Sequence, residues 1–222
     1  MRTPYVLALL VSLLPLKSMA QVAPDPLLAS QIVDRYAEHI FYASGATGMA
    51  LVAIDGNQRV FASFGDTRPG NNIRPQKDSL IRIASLSKLM TSEVMVKMAE
   101  RGEIRLDDPL SKYAPPGKRV PSFDGQPIRL INLSTHTSGL PREQPGGKPH
   151  RPVFVWPTQS ERWRWLNTAS LKAAPGTNAA YSNLGYDLLG DALSRAAGKP
   201  YPALLQQLIT RPLGMKDTTF TP

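Results

Sequence analysis

One pair of apolar runs, Gly48–Ile54 and Arg59–Phe64 around Asp55-Gly56-Asn57, is the only clear sheet signal in this chain. Asp-Gly between two such runs reads as a hairpin turn. A two-stranded hairpin is marginal in water and needs more strands or a covering helix. A helix is available upstream. Asp25-Pro26 supplies an N-cap and a first-turn proline, and Leu27, Ile32, Val33, Tyr36 and Ile40 form its apolar side to about Tyr42. From Leu106 onward the pattern is helices and loops. Asp107-Asp108-Pro109 opens a short helix, and Thr158–Thr168, Leu184–Gly198 and Pro202–Thr210 read as three more. Either the sheet is very small or further strands belong to the fold.

Between the hairpin and the helical part, Ile81–Ile83 leads into an apolar helix that ends at Gly102. At 100° per residue, Glu93, Lys97, Glu100 and Arg101 gather on one wet side. Lys88 falls on the opposite side, beside Ser92, Met95 and Ala99, with Ser85 one turn earlier. A lysine on the dry face is costly to keep charged, so burial is expected to lower its pKa. A neutral amine beside a serine hydroxyl at a helix start can activate a nucleophile. The alternative is a capping serine with a lysine stem laid along apolar surface.

A second cluster supports the chemical reading. Tyr181-Ser182-Asn183 follows the Ala173–Gly176 turn and precedes the apolar run Leu184–Leu193. A loop at a helix entry can present a phenol and an amide together. The phenol can shuttle a proton, and the amide can hold a substrate carbonyl or orient the lysine. Otherwise Asn183 merely caps the helix.

His136, in His136-Thr137-Ser138-Gly139-Leu140, lacks the buried acid that a serine triad needs. The nearest downstream acid is Glu143, in a loop where residues 141–157 hold five prolines and two glycines. Hydrogen bonding within the turn around Gly139 is its expected task. Trp156, Trp163 and Trp165 read as helix packing rather than a stacking surface. No metal-ligand spacing surrounds His39 or His150, and the absence of Cys removes thiol chemistry.

The first twenty residues differ in kind. Arg2 precedes the apolar run Tyr5–Leu16, and Ser18-Met19-Ala20 offers a signal-peptidase site. Residues 1–20 are expected to be a secretory signal, cut before Gln21, with an apolar core too short to span a bilayer comfortably. The mature chain would then be exported and soluble. Its formal charge of +9 falls by two, to +7, with Arg2 and Lys17 gone. The basic residues are scattered among acids, which suits anionic partners such as a cell-wall polymer or lipid headgroups and argues against nucleic acid.

Taken in order, Ser85-Leu86-Ser87-Lys88, Leu130–Leu140 with its His-Thr-Ser-Gly-Leu run, Pro175-Gly176, Tyr181-Ser182-Asn183-Leu184-Gly185-Tyr186 and Pro212-Leu213-Gly214-Met215 resemble the serine β-lactamase and penicillin-binding protein superfamily. Tyr-x-Asn rather than Ser-Asp-Asn points to its class C side. Ile32–Gly48 and Pro141–Pro157 look like its periplasmic D-alanyl-D-alanine carboxypeptidase/endopeptidases, which have weak β-lactamase activity. The resemblance implies an α/β (α+β) fold with an antiparallel sheet flanked by helices plus an all-helical domain. Residues 21–105 would form the first part of the α/β domain and 106–222 the mostly helical domain. It also implies catalysis by Ser85, Lys88 and Tyr181, with Asn183 holding the peptide amide and no cofactor. Peptidoglycan peptides and β-lactams would be the partners, with peripheral contact to the inner membrane an option. The Ser85 backbone N–H would supply half of the oxyanion hole.

The chain departs from the family pattern in one respect. The third motif, Lys-Thr-Gly or a relative, is absent after Tyr181, so the chain is expected to be the N-terminal part of such an enzyme, lacking the C-terminal strands. Two other readings stay open: a non-catalytic product that at most binds peptidoglycan or a partner, and a carboxylesterase on the same scaffold.

Overall fold

The computed structural model describes residues 26–145 and 156–220. The expected signal peptide and most of the proline-rich excursion lie outside them. The chain divides into two compact units, one ending at Ser79 and the other beginning at Leu80.

In the first unit, α1 (Pro26–Ser44) covers an antiparallel hairpin of β1 (Gly48–Asp55) and β2 (Gln58–Gly65). Asp55 pairs with Gln58, so Gly56-Asn57 forms the two-residue turn, with Gly56 at φ 54°. Glycine is obligatory at the open end. A Cβ on Gly48 would meet Asp66 O at 2.2 Å, and one on Gly65 would meet Thr47 O at the same distance.

The helix face differs from the expected one. Val33, Ala37 and Phe41 turn inward, with Ala37 fully buried and Phe41 stacked on Phe64 at 5.7 Å. Ile32, Tyr36 and Ile40 are exposed instead. Both stripes are apolar, so hydropathy alone could not rank them. The i, i+4, i+8 row that carries small Ala37 lets the helix approach the hairpin closely.

The second unit is helical. A 3-10 turn at Ala84–Leu86 runs into α2 (Ser87–Glu100), and a second such turn spans Leu110–Tyr113. A minimal hairpin, β3 (Ser122–Phe123) with β4 (Gln126–Pro127), closes over Asp124-Gly125, both at positive φ. Then follow α3 (Leu130–Ser134), α4 (Gln159–Leu166), α5 (Asn183–Ala197) and α6 (Tyr201–Leu205), the last continued by a π turn to Thr210.

The centre of this unit is α5, which packs against α2, α3, α4 and α6. Leu184, Leu188, Leu189, Ala192 and Leu193 are fully or almost fully buried. Each leucine so buried contributes about 1.5–3 kcal/mol. Val94, Met95 and Met98 meet them from α2, with Leu130 and Leu133 from α3 and Trp163 from α4. The ends of α5 are fixed. Ser182 Oγ accepts from Gly185 N–H at 2.9 Å, and Gly198 takes the left-handed cap at φ 63°. Thr158 and Glu161 form a capping box on α4.

Trp163 is core, as the sequence suggests, whereas Trp156 is 51% exposed. Among the described residues no helix is long and apolar enough to cross a membrane.

Candidate active site

Ser85 sits in the 3-10 turn immediately before α2, not inside the helix proper. The residue before it, Ala84, is held at φ 45°, a region costly for a side-chain-bearing residue. Such a bend at the helix entrance leaves the Ser85 side chain exposed.

One turn on, Lys88 is half-buried, on the side of α2 that adjoins buried Thr91 and Met95. Its Nζ donates to Ser85 Oγ at 3.2 Å. The ammonium also lies 5.0 Å from the Tyr181 ring centre and 5.6 Å from that of Tyr186. Tyr186 braces the wall of this site. Its hydroxyl donates to Ser134 O at 2.8 Å and meets Ser92 Oγ at 2.9 Å, tying α5 to α3 and α2.

Tyr181 completes the group. Its hydroxyl is 2.7 Å from Ser85 Oγ. The Lys88 ammonium beside it, then the Ser85 hydroxyl, hold the phenol below the usual tyrosine range, and the Arg142 charge adds to this. The Arg142 guanidinium stands 4.9 Å from the Tyr181 ring centre. A phenol so placed gives up its proton more readily and can then take one from Ser85.

Asn183 opens α5 but does not cap it; Ser182 does. The Asn183 side-chain amide donates to Glu143 Oε1 at 2.5 Å, and the Asn183 backbone N–H donates to Arg142 O at 2.9 Å. The sequence left open whether Asn183 orients Lys88. The partner observed is Glu143. Ser85, Lys88, Glu143, Asn183, Asp187 and Trp156 share a cleft of about 620 Å³. Burial pushes the Asp187 carboxyl up from its ordinary value against the counter-pull of Arg162.

His136 is not part of a serine triad. Its Nδ1 accepts from the Ser182 backbone N–H at 3.0 Å, and Glu143 is engaged elsewhere. That bond reaches a residue 46 positions away instead of staying within the Gly139 turn. The sequence marks Tyr186 only as the end of the Tyr181–Tyr186 run and assigns it no role, although its place three residues after Asn183 puts it on the same helix face. Among the described residues no group of His, Cys, Asp and Glu gathers that could hold a metal ion.

A serine hydroxyl held at 2.7 Å by a phenol and at 3.2 Å by an ammonium is an arrangement suited to acyl transfer. The chain is similar to several known proteins. The chain is 70% identical over 203 residues to the D-alanyl-D-alanine-carboxypeptidase/endopeptidase AmpH of Escherichia coli, covering 91% of this chain and 53% of that protein. It is 31% identical over 184 residues to the esterase EstB of Burkholderia gladioli, covering 78% of this chain and 46% of that protein. The crystal structure of a beta-lactamase/D-alanine carboxypeptidase from Yersinia pestis complexed with citrate superposes with a TM-score of 0.84 at 68% identity. That match covers 89% of this chain and 57% of the other. The chain thus spans about half the length of these relatives. The beta-lactamase family profile matches residues 30–222, and the chain belongs to the beta-lactamase family.

Proposed function

We propose that this chain carries the nucleophile half of a serine hydrolase that cleaves D-alanyl-D-alanine peptides of peptidoglycan, as carboxypeptidase and endopeptidase, through an acyl-enzyme. The observation that carries this reading is the pair of contacts on Ser85 Oγ, from Tyr181 hydroxyl at 2.7 Å and Lys88 Nζ at 3.2 Å. Ser85 Oγ attacks the carbonyl carbon of the penultimate D-alanine while its proton passes to Tyr181. The lowered phenol pKa favours the basic form of Tyr181 that accepts it. Lys88 stabilises that form and keeps the serine oriented. The proton then goes to the departing amine as the C–N bond breaks, leaving a Ser85 ester and a free terminal residue. Water hydrolyses the ester by the same route in reverse.

Asn183, fixed by Glu143 at the entrance of α5, holds the peptide amide. β-Lactams imitate the dipeptide and acylate the same serine, with slow release giving weak β-lactamase activity. The export pattern in residues 1–20 supports a periplasmic location, and the net positive charge supports peripheral contact with anionic lipid.

The 31% identity to an esterase favours a second reading, hydrolysis of simple esters by the same residues. A peptide ending in D-alanyl-D-alanine and a p-nitrophenyl ester separate the two. Release of D-alanine that is lost in Ser85→Ala supports the peptidase. Ester turnover without D-alanine release supports the esterase, and a folded chain inert to both leaves only the non-catalytic binding reading.

A further inference from the structure

We propose that His136 is the positioning residue that holds Tyr181 over Ser85, and that it does so only as a neutral imidazole. The inference rests on the acyl-transfer reading of Ser85 and Tyr181 but on separate contacts. Two backbone N–H groups flank Tyr181, and both end on His136. Ala180 N–H donates to the His136 carbonyl at 2.8 Å, and Ser182 N–H donates to Nδ1 at 3.0 Å. Gly176 N–H adds a bond to Thr137 O at 2.8 Å. The loop carrying the phenol is therefore laced to the turn after α3 at both of its neighbours.

The ring adds a third constraint, lying 4.4 Å from the Tyr181 ring and 5.1 Å from that of Tyr186. His136 itself sits at φ 60°, a conformation that His, Asn and Asp adopt more readily than other side chains. That twist lets one residue present carbonyl and imidazole to the same strand of loop.

An Nδ1 that accepts from Ser182 places the ring proton on Nε2. Protonating Nδ1 would set one N–H against another and release Ser182. It would also add a second cation beside Lys88. The charged and titratable groups around the ring are Lys88 of α2, Tyr181 ahead of α5 and Tyr186 on α5, with Arg142 over the far ring of Tyr181. Glu143, the nearest acid in sequence, is bonded to Asn183, and among the described residues no carboxylate hydrogen-bonds His136. Burial first, and Lys88 second, hold the imidazole below its ordinary pKa.

The test compares His136→Ala and His136→Asn with the parent chain by the rate of covalent labelling with a fluorescent penicillin from pH 5 to 8. Asparagine accepts the same twist, places Oδ1 near the former Nδ1 and does not titrate. The expected result is a loss of about 10–100-fold in His136→Ala. His136→Asn should regain most of the rate and lack the decline on the acid side that the parent shows as His136 takes up its proton. Labelling of His136→Ala at the parent rate, or one acid limb shared by the parent and His136→Asn, overturns the proposal.

The backbone readout decides independently of labelling. In ¹⁵N–¹H spectra the Ser182 amide of the parent must move with the His136 titration and stay still in His136→Asn. A Ser182 amide indifferent to pH in the parent overturns the proposal even where nothing is labelled. An unlabelled parent whose Ser182 amide titrates overturns the acyl-transfer reading and leaves the positioning role standing.

Discussion

Tyr181 brings its hydroxyl to 2.7 Å from Ser85 Oγ although 96 positions separate the two residues. Ser85 is the middle residue of the turn that leads into α2, and Tyr181 lies one residue before the Ser182 cap of α5. Packing of α5 against α2 through buried Val94, Met98 and Leu188 makes the meeting a property of the core. Lys88 sits beneath both side chains and supplies the charge that loosens the phenolic proton.

Removing only that hydroxyl should therefore damage chemistry and spare the fold. Tyr181→Phe is expected to slow acylation by about 10²–10⁴-fold. Tyr181 is 38% exposed, so the urea midpoint should stay close to that of the parent. Stopped labelling assays and urea titration of the same preparation check both halves.

Lys88→Arg is expected to lose acylation as well. The guanidinium spreads its charge over a planar fork and cannot reproduce the compact ammonium that donates to Ser85 Oγ and lies against the Tyr181 ring. Retention of the parent labelling rate by this variant would remove Lys88 from the mechanism.

Stability depends on an ion pair that lines the same cleft as Ser85 without touching it. Arg162 binds Asp191 through two bonds, Nη2 to Oδ1 at 2.8 Å and Nε to Oδ2 at 3.2 Å, with both side chains largely buried. Arg162 also donates to Pro157 O at 2.7 Å, and Gln159 donates to Asp191 at 3.1 Å. Asp191→Ala strands a buried guanidinium and is expected to cost about 3–5 kcal/mol in denaturant unfolding. The double variant with Arg162→Leu should recover part of that loss, since it removes the unpaired charge.

Acid should weaken the fold through Asp108. Burial opposes its charge, but hydrogen bonds from Lys112 at 2.9 Å, Tyr113 at 2.5 Å and Arg105 N–H at 2.9 Å prevail and hold its pKa at about 2. The folded value lies below the unfolded one, so the unfolded chain binds the proton first. The contribution, about 2 kcal/mol, is full above about pH 5 and is lost as pH falls through the folded value of about 2. Asp108→Asn should flatten that part of the stability profile, measured by urea unfolding at successive pH values.

Periodicity and punctuation revealed much of this in advance. The hairpin around Gly56, the end of α5 at Gly198 and the start of α1 at Pro26 all carry local signals, and the structure places each within a residue or two. Ser85, Lys88, Tyr181 and Asn183 were legible as residue types at helix entrances; the structure joins Tyr181 and Lys88 to Ser85 Oγ and sets Ser85, Lys88 and Asn183 along one cleft. What the sequence concealed was pairing at long range. Nothing local distinguishes Ile32 from Val33 as the buried row of α1, because the choice depends on which row admits the hairpin. The bond from Asn183 to Glu143 and the clasp of His136 on Ser182 join residues 40 and 46 positions apart, for which one sequence has no period. The Asp124-Gly125 turn, by contrast, had a readable signal in its dipeptide.

The central claim, that Ser85 is a nucleophile primed by Lys88 and Tyr181, is tested most directly by incubating the folded chain with benzylpenicillin and mapping the adduct by mass spectrometry. The account predicts one acyl group, on the peptide bearing Ser85, absent in Ser85→Ala. A folded chain that takes up no acyl group, or one still acylated in Ser85→Ala, would contradict it.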